Sequence, residues 1–138
     1  MPNSRRENRE SAFILIFEKM FRSDTVDEIV ELAENIDDLK INSDVINIFS
    51  ETVNKAVELD NIITKFSEKR SVDRIPKVNH AILRLALYEA IYDERVPQNV
   101  AINEAVLLAK KFAQEPDVAF INGVLGAYSR SEEGKQNA

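Results

Sequence analysis

With 138 residues, 44% of them hydrophobic, the chain has enough material for one domain with a real core, and the absence of cysteine excludes a disulfide framework and a thiolate metal site. A single histidine, His80, argues against a zinc or haem centre, so neither a metal nor a cofactor is expected. The formal charge of −6 is regional: residues 24–60 hold eleven acidic side chains against Lys40 and Lys55, a balance of −9 that leaves the rest of the chain at +3, so a polyanion can still find a basic face.

The first eleven residues are polar and include Arg5, Arg6 and Arg9. Nothing there has the continuous apolar run of a signal peptide, so a cytoplasmic protein is expected. Phe13, Ile16, Phe17 and Met20 recur at helical spacing and predict a first helix to about Arg22. Thr25 with Glu28 is a capping-box pattern, so a second helix starts there and turns Val26, Ile29, Val30 and Ala33 inward. Residues 36–43 form a polar connection ending in Asn42 and Ser43, which cap a third helix carrying Val45, Ile48, Phe49, Val53, Ala56 and Val57. The register changes near Asp60, and a short fourth helix carries Ile62, Ile63 and Phe66. The charged stretch EKRSVDR, residues 68–74, is the expected boundary between an N-terminal subdomain of about 4–70 and a C-terminal one of about 74–129.

Residues 81–92, AILRLALYEAIY, are the centre of the chain: ten of twelve are apolar, and only Arg84 and Glu89 interrupt. A helix apolar nearly all round is buried on nearly all sides, and one this short does not cross a bilayer, which takes about 20 residues. Pro76 suits its first turn. A loop containing Pro97 leads to a helix presenting Ile102, Ala105, Val106, Ala109 and Phe112, and after a turn at 114–117 the last helix presents Phe120, Ile121, Val124, Leu125 and Tyr128. Gly123 inside that helix costs about 1 kcal/mol against alanine. It suggests close approach of another helix, or else of a ligand. Residues 130–138 are expected to be a flexible tail. With three glycines, four prolines and no period-2 alternation, the class is all-α.

No catalytic constellation emerges, and an enzyme is not expected. There is no Gly-rich phosphate loop, no nucleophile–base pairing and no metal-ligand spacing, while the carboxylates sit at ordinary helix-face intervals where solvation accounts for them. His80 reads as packed or exposed. Two features suit RNA. Arg5, Arg6 and Arg9 fall on one side if the first helix begins early, and arginine forks phosphates and stacks on bases. Lys110, Lys111 and Phe112 end one helix and Phe120 lies in the next, a minimal cation–aromatic platform for single strands. From spacing alone, Phe112 is a core residue and Phe120 remains open between core and platform. A helical protein–protein scaffold with an incidental basic terminus is the competing reading.

From residue 82 the pattern becomes specific. ILRLALYEA, then VPQNVAINEAVLLAKKF, then FINGVLGA, in this order and spacing, resembles the NusB family of bacterial transcription antitermination factors, and SRRENRESAFILIFE resembles that family's arginine-bearing first helix. The resemblance spans essentially the whole chain, although residues 24–70 match only in helical pattern. It implies a compact seven-helix bundle of two three-helix subdomains sharing a core, with no catalytic residues. It implies binding of boxA, a single-stranded element of nascent RNA such as ribosomal RNA leaders, together with the small-subunit ribosomal protein NusE. The pair then joins RNA polymerase with NusA and NusG. Carried onto this sequence, the RNA contacts are Arg5, Arg6, Arg9, Lys110, Lys111, Phe112 and Phe120, and the NusE surface includes Phe17, Asp73 and Asn79. Two departures stand out: Asn79 where some members are acidic, and Ala119 where some carry lysine. A homodimer that caps the NusE surface is compatible with this. So is kinship with the accessory RNA-binding domains of ribosomal RNA methyltransferases, which would need a catalytic domain downstream.

Overall fold

Helix starts are set by short polar reciprocities. Ser4 Oγ accepts from the Glu7 N–H at 3.1 Å, and Glu7 returns the bond to the Ser4 N–H at 3.0 Å. Thr25 and Glu28 do the same for the second helix, each pair satisfying donors that a helix leaves unpaired. The computed structural model describes residues 4–36, 39–68 and 70–138, so Asp37, Asp38 and Lys69, which the sequence places in polar connections, lie outside the described residues. Its helices are α1 (Arg5–Lys19), α2 (Val26–Ala33), α3 (Ser43–Asn54), α4 (Ala56–Phe66), α5 (Lys77–Tyr92), α6 (Gln98–Phe112), α7 (Glu115–Arg130) and α8 (Glu132–Gln136), with a 3-10 turn at Val72–Arg74. The all-α expectation holds; among the described residues there is no strand.

The chain forms two compact units, Met1–Asn54 and Lys55–Ala138, so the 68–74 stretch lies within the second. In the first unit α1 packs on α3 and α2. Ala12, Phe13, Leu15, Ile16, Ile29, Ala33, Val45 and Phe49 are buried. A polar seam joins α1 to the start of α3. Asn42 Nδ2 donates to Asn8 Oδ1 at 2.9 Å, Asn8 Nδ2 donates to Asp44 Oδ2 at 3.2 Å, and Asn42 Oδ1 accepts from the Val45 N–H.

In the second unit α5 is the post, packed by α4, α6 and α7. Eleven of its residues are buried, from Asn79 to Ala90, as an apolar circumference requires. The helix break expected near Asp60 comes earlier, at Lys55, whose ψ of 11° leaves the helical range. Two residues before the end of α3, the Thr52 hydroxyl donates back to the Ile48 carbonyl at 2.7 Å, a bond that competes with the backbone ladder. In the resulting register Val57 is 78% exposed rather than inward.

That register brings Asp60 onto α5. Its Oδ1 lies 2.6 Å from His80 Nε2 and 2.9 Å from Arg84 Nε, and its Oδ2 accepts from Arg84 Nη2 at 2.7 Å. Burial pushes the Asp60 carboxyl up, but the hydrogen bonds and charges of Arg84 and His80 outweigh it and hold the group below the usual carboxylate range. The one interrupting arginine of the central helix is thereby accounted for.

The expected tail is ordered as α8, an eighth helix beyond the seven expected. Ser131 Oγ accepts from the Gly134 N–H at 3.0 Å, Gln98 Nε2 donates to the Gly134 carbonyl at 3.0 Å, and Lys65 reaches Glu133 at 3.3 Å. Gly134 is buried, and a Cβ there would lie 2.0 Å from the Tyr128 carbonyl oxygen, so only glycine fits. A polar composition concealed a capped, docked turn.

Candidate nucleic-acid interface

α1 begins at Arg5, early enough to place all three N-terminal arginines on helix. Arg5 and Arg6 are exposed, but Arg9 is only 6% exposed. Cations at the positive end of a helix dipole work against the helix. Glu7, held below the usual carboxylate range by its backbone and side-chain bonds to Ser4, complements that end.

Phe17 is half-buried in a ladder of rings, 6.1 Å from Phe13 and 4.9 Å from Phe21, whose side chain is 61% exposed. Asp73 is exposed on the 3-10 turn, where its N–H donates to Ser71 Oγ. Asn79 is different: it is 1% exposed, its Nδ2 donates to Asp117 Oδ1 at 3.0 Å, and its own Oδ1 has no partner among the described residues. Asn79 thus stands inside the second unit, tying α5 to the start of α7, where Asp117 also accepts from the Gln114 N–H.

Lys110 and Lys111 close α6, where cations complement the dipole. Phe112 is not the core residue its spacing suggests: it is 37% exposed, with Lys111 Nζ 5.5 Å from the ring centre. The helix ends there, so no turn follows to cover it. Lys110 lines a cleft of about 820 Å³ between α6 and α7, together with Asn103, Leu107, Val118 and Asn122. Phe120 is half-buried, and the guanidinium of Arg70 lies 4.8 Å from its ring centre. That partner was missed, because an arginine in a charged connection carries no local sign of what it covers.

Gly123 is not a site of close helix packing. It is exposed, and a Cβ built on it would meet nothing within 4 Å. Among the described residues no group of three or more His, Asp or Glu side chains gathers as a metal site, and no helix is long and apolar enough to cross a membrane.

Residues 6–130 match the model of the NusB family. The chain is 39% identical over 127 residues to the transcription antitermination protein NusB of Natranaerobius thermophilus, covering 88% of this chain and 91% of that one. It is 37% identical over 139 residues to the protein of the same name in Acetivibrio thermocellus, covering 96% of each. Among solved structures, T. maritima NusB superposes with a TM-score of 0.84 at 27% identity, over 99% of this chain and 98% of that one. A chain from a complex of the antitermination factors NusB and NusE with dsRNA superposes with a TM-score of 0.76 at 29% identity, over 89% of this chain and 93% of that one.

Proposed function

The chain belongs to the NusB family of transcription antitermination proteins, and from that premise we propose that it acts as an RNA-and-protein adaptor. In this reading it binds boxA-type single-stranded RNA together with NusE, and the pair joins an antitermination complex with RNA polymerase, NusA and NusG in the cytoplasm during ribosomal RNA transcription. Without NusE, self-association through the same surface would form a homodimer.

The observation that carries the reading is the exposure of Arg5 and Arg6 side by side at the start of α1, where two guanidinium groups can reach phosphates. Lys110, Lys111 and Phe112 supply cations beside an exposed ring, and Phe120 supplies a second ring. Arg9 and Asn79, both buried, serve as supports: Asn79 holds Asp117, and Arg9 stays within α1's packed face. Phe17 and Asp73 offer the NusE contacts. A chain of charge −6 with small basic patches binds RNA weakly alone, and a basic partner adds contacts in the same encounter.

The test is a salt series of RNA titrations on the NusE-bound protein. Arg5→Ala with Arg6→Ala should weaken binding and flatten the dependence on log salt by about 0.7 for each phosphate no longer neutralised. An unchanged affinity and slope would remove these arginines from the interface and favour a protein–protein scaffold.

A further inference from the structure

The first two turns of α1 carry Arg5 and Arg6, yet residues 5–11, RRENRES, contain no apolar side chain. Apolar packing of α1 begins at Ala12, which is fully buried, and continues through Phe13, Leu15 and Ile16. A helix end without an apolar anchor frays, and a frayed end spreads its two guanidinium groups over many positions.

Polar bonds stand where that packing is missing. Asn8 lies one turn into the helix, its N–H donating to the Ser4 carbonyl at 3.0 Å, and it is only 7% exposed. Its Oδ1 accepts from Asn42 Nδ2 at 2.9 Å, and its Nδ2 donates to Asp44 Oδ2 at 3.2 Å. Both partners belong to the start of α3, where Asn42 Oδ1 also caps the helix by accepting from the Val45 N–H at 2.9 Å. α3 is itself seated in the core of this unit by Val45 and Phe49, both fully buried. A short side-chain amide suits position 8 because it offers an acceptor and a donor at the same reach. An aspartate there would set a second carboxylate against Asp44, and an apolar side chain would leave Asn42 and Asp44 without these bonds.

We infer that Asn8 is a positioning residue for RNA: its paired bonds to Asn42 and Asp44 fix the first two turns of α1 on α3, and so hold Arg5 and Arg6 in place for phosphates. This rests on the RNA-binding reading above. Asn8 acts through the arginines and not on the RNA, by removing an ordering cost that binding would otherwise have to meet.

The experiment titrates boxA-type single-stranded RNA with the full chain in the presence of NusE. Asn8→Leu removes both bonds while keeping a good helix former. It should lower RNA affinity about two- to tenfold, the cost of ordering one flexible side chain. Amide exchange should quicken in residues 5–11 and not in residues 13–16. In a chain already carrying Arg5→Ala and Arg6→Ala, Asn8→Leu should weaken binding no further, a result that a general loss of structure would not give. Asn42→Ser keeps a capping oxygen on α3 but withdraws the amide that reaches Asn8. It should weaken binding in the same direction, and it carries the test if Asn8→Leu does not fold. If the wild type binds no RNA, or Arg5→Ala with Arg6→Ala changes nothing, the RNA reading of these arginines falls and the inference with it. If the arginines matter and both seam variants bind like the wild type, the positioning role is wrong while the RNA reading stands. An equal further loss in the doubly substituted background would also overturn it, because the seam would then be merely structural.

Discussion

Asp60 shows how much a single side chain can organise. It accepts from His80 and twice from Arg84, and so joins α4 to the central helix. Asp60→Asn keeps the shape but leaves Arg84 without its charge partner and replaces one accepting oxygen by an amide donor, which should cost about 1–3 kcal/mol at neutral pH in a denaturant titration. The sign with pH follows from the lowered carboxyl. A group whose acidity is increased by folding stabilises the fold above its unfolded value, near 4 for aspartate, and that contribution disappears as pH falls through the folded value. The gap between wild type and Asp60→Asn should therefore shrink below about pH 4. Sequence reading left His80 as merely packed or exposed and Asp60 as one of many solvated carboxylates. Their pairing depends on the α4 register, which a change at Lys55 rather than Asp60 decides. Phe112 was misread for a related reason: its spacing is helical, but the end of α6 leaves it uncovered.

At the scale of elements, Gly134 and Gly123 separate cleanly by what surrounds them. Gly134 is required: a Cβ would overlap the Tyr128 carbonyl, a backbone atom that cannot rotate away. Gly134→Ala should undock α8 and cost about 1–3 kcal/mol, seen as faster amide exchange in residues 131–137. Gly123 is the reverse, with open space around it. Gly123→Ala should raise stability by up to about 1 kcal/mol through helix propensity, read from the denaturation midpoint. The central helix was the most legible element, because an apolar run of that length allows no other placement. Leu85 is 1% exposed within it, and Leu85→Ala should cost about 2–5 kcal/mol through the cavity it leaves; a denaturant-derived cost below about 1 kcal/mol would place the core elsewhere. The eighth helix was illegible because its stability comes from interactions with Gln98 and Lys65, more than thirty residues away in sequence, and no local pattern encodes them.

For the whole molecule, the fold class and the family were legible because the motifs from residue 82 onward are dense and ordered. The finer surface was not: a basic position in a motif does not say whether its side chain is exposed like Arg5 or buried like Arg9. The charge distribution gives the functional reading its physical sense. A net −6 chain whose residues 24–60 carry −9 disfavours RNA over much of its surface, so selective binding requires basic patches acting together with a partner. The most direct measurement is the affinity of an equimolar mixture of this protein and NusE for boxA-type RNA against a scrambled RNA of equal length, at two salt concentrations, beside each protein alone. The adaptor account predicts that the mixture binds boxA more tightly than either protein alone, and prefers it to the scrambled strand at both salts. Equal, weak binding of both RNAs, unchanged by NusE, would contradict it.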